Sequence, residues 1–248
     1  FHESRKRRGL GAGEARTLMK QANYYGPMMV QMGHADGLLS GVSQNYPQTL
    51  RPAIEVIGPK PGSRLIGIYM MIIKRQLYFF ADTTVNINPT AKDLANIAIQ
   101  TADFAKGFTN SEPRVAMLSF SNFGSNRHEH ALKVSEATRM VKEMRSDIIV
   151  DGEMQADTAV LPSISEESFD FNKVAGNANV LVFPDLQSGN IAYKLMWRVG
   201  GAEAIGPILL GMQKSVSVLQ RGSDVNDIVN MAAITAMEIH WQKSKSST

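Results

Sequence analysis

Residues 179–190 read N-V-L-V-F-P-D-L-Q-S-G-N and give the strongest indication of the fold class. The apolar, strand-forming run at residues 180–183 ends at Pro184, and a polar turn follows before a helical pattern begins at Ile191. In α/β enzymes, a strand followed by a glycine-containing turn and a helix places backbone N–H groups and the helix N-terminus beside a bound anion. The segment therefore predicts an α/β protein with a ligand site beyond the end of this strand.

Strands and helices alternate on both sides of this segment. The predicted strands are residues 53–57, 65–73, 77–81, 114–118, 147–150 and 179–183. One predicted helix begins after Thr90, with Asp93 three residues on as in a capping box, and another covers residues 126–144. The last helix is predicted to be capped by Ser223 and to bury Ile228, Val229, Ala232, Ala233, Ala236 and Met237. This alternation predicts a layered α/β fold with a largely parallel sheet.

Three polar segments follow predicted strands, at residues 119–125, 151–155 and 185–190. Ligands of open α/β sheets bind beyond the carboxyl ends of the strands, so each segment is a candidate wall of a binding site. Ser, Asn, Asp and Gly are also the usual residues of ordinary turns. The position of all three on the same edge of the predicted sheet favours a functional role.

Composition excludes several classes of protein. With 248 residues and 44% hydrophobic residues, the chain is typical of a globular protein. Its longest apolar run, residues 66–73, is too short to span a bilayer, so no membrane association is expected. The absence of cysteine excludes disulfides, a thiol nucleophile and cysteine-ligated metal. No signal peptide is visible, which predicts a cytoplasmic location, and the initial Phe1 predicts a piece of a longer protein.

The net charge of +3 is unevenly distributed, with a basic run at residues 5–8. A nucleic-acid partner is not expected, because this run has no interleaved aromatic residues and no known binding motif. The run is either a solvated segment or a source of arginine for a phosphorylated ligand. No metal site is expected either, since His128 and His130 lack the i, i+4 spacing of a zinc-binding helix.

Several segments together carry a resemblance that covers essentially the whole chain. They are residues 4–6, 35–37, 49–52, 80–82, 86–89, 116–121, 151–155, 179–190, 206–208 and 220–229. With these segments the chain resembles the phosphate acetyl/butyryltransferase family. The sequence S-N-F-G-S at residues 121–125 and F-A-D-T-T at residues 80–84 resemble more narrowly the copy fused to the C-terminus of bacterial NADP-dependent malic enzymes.

The resemblance implies a two-subdomain α/β fold like that of isopropylmalate dehydrogenase, with a ligand cleft between the subdomains. Residues 1–55 and 208–248 would form a discontinuous first subdomain whose N-terminal part is missing. Residues 56–207 would form the second subdomain. Because the family pairs its subunits through helices of the second subdomain, a homo-oligomer of at least two subunits is expected.

The resemblance also assigns candidate site residues. The ligand-binding positions it implies are Arg5, Arg51, Ser121, Arg221 and Asp227, and Asp227 falls on the proposed base of the family. Arg51 precedes Pro52, which favours an extended backbone. Gln220 stands where the family has a serine that can donate a hydrogen bond to the oxyanion. Because losing one such donor typically costs about a hundred- to a thousandfold in rate, the transferase site is expected to be inactive.

From these features the sequence predicts an acetyl-CoA-binding domain that allosterically regulates an attached malic enzyme of central carbon metabolism. Acetyl-CoA or CoA would be the effector, and the fused malic enzyme domain would be a covalent partner. That oxidoreductase would convert malate to pyruvate with NADP and Mg²⁺ or Mn²⁺, using residues outside this chain. Two alternatives stay open: an active phosphate acetyltransferase that forms acetyl-CoA from acetyl phosphate and CoA, and a structural oligomerisation domain.

Overall fold

The computed structural model describes residues 1–246 and shows a mixed α/β fold. The α-helices of this part are α1 (His2–Arg5), α2 (Ala12–Leu18), α3 (Ala22–Gln31), α4 (Tyr46–Val56), α5 (Ala91–Thr109), α6 (Glu129–Met144), α7 (Ala156–Val160), α8 (Pro162–Ser168), α9 (Leu186–Arg198) and α10 (Val225–Ser246). The strands are β1 (Gly37–Gly41), β2 (Ile66–Ile73), β3 (Gln76–Ala81), β4 (Arg114–Leu118), β5 (Ile149–Met154), β6 (Val180–Val182), β7 (Glu203–Leu210) and β8 (Ser215–Leu219). None of the helices in this part is both long and apolar enough to span a membrane.

The chain divides into two compact units. Unit 1 comprises Phe1–Ser63 and Gly211–Thr248, and unit 2 comprises Arg64–Leu210. In unit 1, β1 and β8 pair in parallel, with Gly37 opposite Ser215, and helices α3, α4 and α10 pack against this pair. The core of unit 1 includes Val30, Ala53, Val56, Ile57, Val216, Val218, Met231 and Ile234.

Unit 2 contains six strands in the order β7-β2-β3-β6-β4-β5. Strands β3, β6, β4 and β5 are parallel, whereas β2 pairs antiparallel with both β3 and β7. The prediction of a largely parallel sheet is therefore corrected to a mixed one. The cause is a tight hairpin at Lys74 and Arg75, whose positive φ angles of 49° and 68° fit a two-residue turn that reverses the chain.

The start of α5 confirms the predicted capping box. The Thr90 hydroxyl accepts a hydrogen bond from the Asp93 N–H at 3.2 Å, and the Asp93 carboxylate accepts one from the Thr90 N–H at 3.0 Å. These two bonds satisfy backbone donors that a helix start otherwise leaves unpaired. The predicted strands at residues 65–73, 77–81, 114–118 and 179–183 are also confirmed, as β2, β3, β4 and β6, whereas the strand predicted at residues 147–150 lies further along the chain, as β5 at Ile149–Met154.

The predicted strand at residues 53–57 is wrong, because these residues belong mostly to α4. This helix begins with a capping box in which Gln48 accepts a hydrogen bond from the Asn45 N–H. Pro52 lies inside the helix and has no N–H for the carbonyl of Gln48. The Asn23 side chain donates to that carbonyl instead, at 3.3 Å. Arg51 is consequently helical and not extended as predicted.

The predicted inner face of the last helix is also wrong. All six of its residues are exposed, and the buried residues of α10 include Met231, Ile234 and Thr235. Because the small alanines leave this helix apolar on both faces, periodicity alone points to the wrong one. A hydrogen bond of 2.7 Å between the hydroxyls of Ser217 and Thr235 joins the buried face to β8.

The start of α10 differs from the prediction as well. The helix begins at Val225, and the Asp224 carboxylate, not Ser223, accepts a hydrogen bond from the Asp227 N–H at 2.9 Å. The Asp227 carboxylate in turn accepts one from the Asp224 N–H at 3.0 Å. The two aspartates therefore form the reciprocal arrangement of a capping box.

We expect Thr90→Ala to lower the free energy of unfolding by about 1 kcal/mol, because it removes the side-chain acceptor of the α5 capping box. Thr90 is exposed, so the substitution leaves no cavity. Urea denaturation measures the change, with Thr90→Ser as the control that keeps the hydroxyl. Equal stability of the alanine and serine variants would contradict this account of the helix start.

Candidate functional site

In unit 2, the loop at residues 119–125 is folded around the carboxylate of Glu153, near the end of β5. Glu153 is buried, and its Oε1 accepts hydrogen bonds from the Ser121 hydroxyl at 2.9 Å and from the Gly124 N–H at 2.7 Å. Residues 151–154 are part of β5 and not a turn as predicted. The structure thus brings together two of the three predicted polar segments. Glu153 of the second segment accepts hydrogen bonds from the first.

A pair of amides joins the same two segments. The Gln155 N–H donates to Asn122 Oδ1 at 2.7 Å, and Asn122 Nδ2 donates to Gln155 Oε1 at 3.1 Å. Gln155 Nε2 also donates to the carbonyl of Phe120 at 2.7 Å. These contacts hold the loop in one conformation beyond the ends of β4 and β5.

Ser121, a predicted ligand-binding residue, lies buried beneath this loop. Its hydroxyl donates to Glu153 and accepts from the Asn126 N–H at 3.0 Å. The hydroxyl is therefore already part of the internal hydrogen bonding of the loop, and it positions the loop backbone.

The third polar segment is the beginning of a helix. Asp185 is the N-cap of α9, and its carboxylate accepts a hydrogen bond from the Ser188 N–H at 2.7 Å. The helix therefore begins at Leu186 and not at the predicted Ile191. Gly189 is required here, because a Cβ atom at this position would lie 2.6 Å from the carbonyl oxygen of Asp82.

The Asp82 carboxylate organises the turn that follows β3. It is buried and accepts hydrogen bonds from the N–H groups of Gly67 at 3.2 Å, Thr84 at 2.9 Å, Val85 at 3.1 Å and Asn86 at 3.0 Å. Burial raises the pKa of Asp82, and these hydrogen bonds oppose that rise by stabilising the charged form. The turn leads into Ile87 and Asn88, which line the groove described next.

A groove with a volume of about 630 Å³ lies between the first and third polar segments of unit 2. Its lining is Ile87, Asn88, Ser119, Phe120, His130, Lys133, Pro184, Asp185, Leu186, Gln187 and Asn190. Lys133 Nζ donates to Asn88 Oδ1 at 3.2 Å and to the carbonyl of Pro184 at 3.0 Å, while Ile87 and Phe120 are exposed. The lining combines one ammonium group and one carboxylate with several amides and an apolar wall, which suits a ligand that is partly polar and partly apolar.

In unit 1, the structure brings together two predicted arginines, Arg5 and Arg51, on the carboxylate of Glu55. Arg51 Nε donates to Glu55 Oε1 at 2.7 Å, and a terminal nitrogen of Arg5 lies 3.8 Å from the same oxygen. The Tyr24 hydroxyl donates to Glu55 Oε2 at 2.8 Å. Burial would raise the pKa of Glu55, but the hydrogen bonds from Arg51 and Tyr24 outweigh it and hold the pKa below its usual value.

Glu55 is not among the site residues predicted from the sequence. The available signal was the i, i+4 spacing of Arg51 and Glu55, which brings two side chains together only on a helix. Because residues 53–57 were predicted to be a strand, the two side chains were not expected to meet.

The other predicted residues of unit 1 follow β8. Arg221 lies in an exposed turn with Gly222, whose φ of 89° favours glycine. Asp227 lies in the first turn of α10. The carbonyl of Gln220 accepts a hydrogen bond from the Ser223 N–H at 3.2 Å, which closes this turn.

Comparison with known proteins shows the family of the chain. The sequence model described as "Phosphate acetyl/butaryl transferase" matches residues 1–236. The phosphate acetyltransferase of Thermoanaerobacterium thermosaccharolyticum is 42% identical over 245 residues, covering 96% of this chain and 75% of the relative. That of Nitratidesulfovibrio vulgaris is 42% identical over 244 residues, covering 98% of this chain but 34% of the relative. A phosphotransacetylase structure from Streptococcus pyogenes has a TM-score of 0.91 and 43% identity, covering 96% of this chain and 73% of that one.

These comparisons overturn the narrower interpretation from the sequence. The relatives above are phosphate acetyltransferases, so the predicted regulatory domain of an NADP-dependent malic enzyme, with its oxidoreductase chemistry, is wrong. That interpretation depended on residues 80–84 and 121–125. In the structure, these segments fold around the buried carboxylates of Asp82 and Glu153. The residues of these segments are explained by local loop packing and give no indication of an attached domain.

We expect Glu153→Gln to loosen the loop at residues 119–125, because a neutral amide replaces a carboxylate that accepts two hydrogen bonds. Loss of hydrogen bonds to a buried charged group costs about 1.5–3 kcal/mol. Urea denaturation and the hydrogen-exchange rate of the Gly124 N–H measure the effect. The exposed Glu166→Gln is the control, and an unchanged Gly124 exchange rate in Glu153→Gln would contradict the role given to this carboxylate.

Proposed function

We propose, because the chain belongs to the phosphate acetyl/butyryl transferase family, that it transfers an acetyl group between phosphate and the thiol of coenzyme A. The observation that carries this proposal is the 42% identity to a phosphate acetyltransferase over 96% of the chain. Coenzyme A and acetyl phosphate are then substrates. The isopropylmalate dehydrogenase-like architecture, the ligand cleft and the subdomain boundaries expected from the resemblance stay predictions.

The proposed reaction makes three chemical demands on the protein. The sulfur of coenzyme A attacks the acetyl carbonyl carbon, so that a C–S bond forms and the C–O bond to phosphate breaks. The thiol proton must pass to a base, and the negative charge on the carbonyl oxygen needs a hydrogen-bond donor. The phosphate groups need cations, for which arginine is the most suitable side chain.

We assign these roles to residues of unit 1. Arg5, Arg51 and Arg221 are proposed to bind phosphate groups, and Asp227 is proposed to accept the thiol proton. Asp227 is suited to this role because the N–H of Asp224 donates a hydrogen bond to its carboxylate and holds it in place. Ser121, in unit 2, is proposed to act by positioning its loop.

Gln220 is proposed to supply the donor to the oxyanion. Because Gln220 replaces the serine of the family, the resemblance alone predicts an inactive site. A glutamine side chain, however, carries two N–H donors and belongs to the side chains that can stabilise an oxyanion. The position of Gln220 directly before Arg221 places this donor next to a proposed phosphate-binding residue in the chain. The replacement is therefore compatible with turnover.

We expect the full-length protein to form acetyl-CoA from acetyl phosphate and coenzyme A, as followed by thioester absorbance. Gln220→Leu should lower kcat about a hundred- to a thousandfold, because it removes an oxyanion donor at similar volume. The exposed Gln31→Leu serves as the matched control and should leave kcat unchanged. Absence of turnover in the unaltered protein would refute the proposed function. An active Gln220→Leu variant would refute the role of Gln220 alone.

The homo-oligomer expected from the resemblance remains part of the proposal. Helix α9, in unit 2, exposes Ile191 and Leu195, with exposed fractions of 50% and 56%, and its C-cap residue Val199 is 81% exposed. A spacing of four residues places these side chains on one face of a helix. The same face on a second copy would cover this apolar surface in a two-fold symmetric contact.

We expect light scattering at micromolar concentration to show a dimer, and Leu195→Glu to shift it to a monomer by placing two charges in the contact. Val229→Glu, on the exposed face of α10, is the matched control and should remain dimeric. A folded, unaltered protein with a monomeric mass would contradict the proposed assembly. If only Val229→Glu produced a monomer, the subunit contact would lie on α10 and not on α9.

A further inference from the structure

Glu55 connects two arginines that the proposed reaction uses for phosphate. We propose that Glu55 is a positioning residue, which holds Arg5 and Arg51 side by side for a phosphate-bearing substrate. This inference rests on the proposed function. Its basis is that one carboxylate oxygen, Oε1, lies 2.7 Å from Arg51 Nε and 3.8 Å from Arg5.

The geometry at Arg51 leaves donors for a ligand. The bond to Glu55 uses Nε, whereas a guanidinium group carries five N–H donors, four of them on its terminal nitrogens. The side chain of Arg51 is 78% exposed. It lines a groove of about 540 Å³ together with the amide side chains of Gln21, Asn23, Gln44 and Gln48. Tethering at Nε fixes the plane of the guanidinium fork and leaves its terminal nitrogens for a phosphate.

Glu55 is itself held in place. Its side chain is 15% exposed, and its second oxygen, Oε2, accepts a hydrogen bond from the buried Tyr24 at 2.8 Å. The Tyr24 hydroxyl donates to Oε2 of Glu55, whereas both arginines lie beside Oε1. This division of the two oxygens fixes the orientation of the carboxylate, and through it the orientation of Arg51.

Glu55 has two opposite effects on a bound phosphate. A free arginine side chain carries rotamer entropy that corresponds to about thirtyfold in affinity, and tethering removes part of this cost before the ligand binds. Repulsion between the Glu55 charge and a singly charged phosphate roughly 7 Å away corresponds to about threefold through bulk water and to a larger factor at the lower effective dielectric constant of a protein surface. The positive charges of Arg5 and Arg51 offset this repulsion, and the exposed end of Arg51 lies in water. We therefore expect positioning to be the larger effect, so that Glu55 strengthens binding.

The test compares Glu55→Gln with the unaltered full-length protein. We expect the Kd for coenzyme A by calorimetry, and the KM for coenzyme A and acetyl phosphate, to rise about tenfold while kcat stays within about twofold. Glu55→Asp keeps the charge and should recover part of the affinity. Glu14→Gln makes the same charge change at an exposed position of unit 1 and should alter none of these values. Unchanged or tighter binding in Glu55→Gln would overturn the positioning role.

Two further measurements keep the outcomes distinct. If the unaltered protein neither binds coenzyme A nor turns over, the proposed function fails, and the positioning role fails with it. If the unaltered protein is active, the NMR signal of the Arg51 Nε–H should be protected from exchange and lose that protection in Glu55→Gln. Should Glu55→Gln not fold, Tyr24→Phe, which removes one hydroxyl, should raise the Kd in the same direction, and an unchanged Kd would overturn the proposal.

Discussion

The buried carboxylate of Glu153 is the constraint on which the candidate groove of unit 2 depends. Desolvating a carboxylate is costly unless hydrogen-bond donors surround it, so the chain must bring donors to the end of β5. The loop after β4 supplies them through Ser121 and Gly124, and this fixes where Phe120 and Ser119 line the groove. The buried Asp82 carboxylate also requires hydrogen-bond donors near the turn after β3, and four backbone N–H groups supply them. The polar residues at the strand ends thus serve first to satisfy buried charges.

The same principle explains the arginine pair of unit 1. Glu55 is mostly buried beside Tyr24, and the positive charges of Arg5 and Arg51 compensate its negative charge. A phosphate-binding arginine needs both charge and a defined orientation, because bidentate bonds require the guanidinium fork to face the ligand. Sharing one carboxylate between two arginines leaves a net positive charge in this cluster. Unit 1 therefore combines structural compensation with the cationic surface that the proposed reaction demands.

Sequence patterns predicted the fold where local signals decide it. The capping box at Thr90 and Asp93 and the apolar strands of unit 2 depend on neighbours in the chain. Helix α4 was missed because the partner that satisfies the Gln48 carbonyl is Asn23, on another helix. The buried face of α10 was missed because alanines make both faces apolar, and tertiary contacts of Met231, Ile234 and Thr235 decide which face is buried. The site arginines were predicted from the family resemblance alone. Predicting Glu55 as their partner would have required knowing that residues 51–55 are helical.

The proposed reaction is the transfer of acetyl groups between phosphate and coenzyme A. Following acetyl phosphate by ³¹P NMR, with and without coenzyme A, separates this transfer from hydrolysis, because the two reactions differ only in the acceptor. The full-length protein should convert acetyl phosphate to inorganic phosphate only when coenzyme A is present, with one acetyl-CoA formed for each phosphate released. Phosphate release without coenzyme A, or no release in its presence, would show that the protein does not catalyse this transfer.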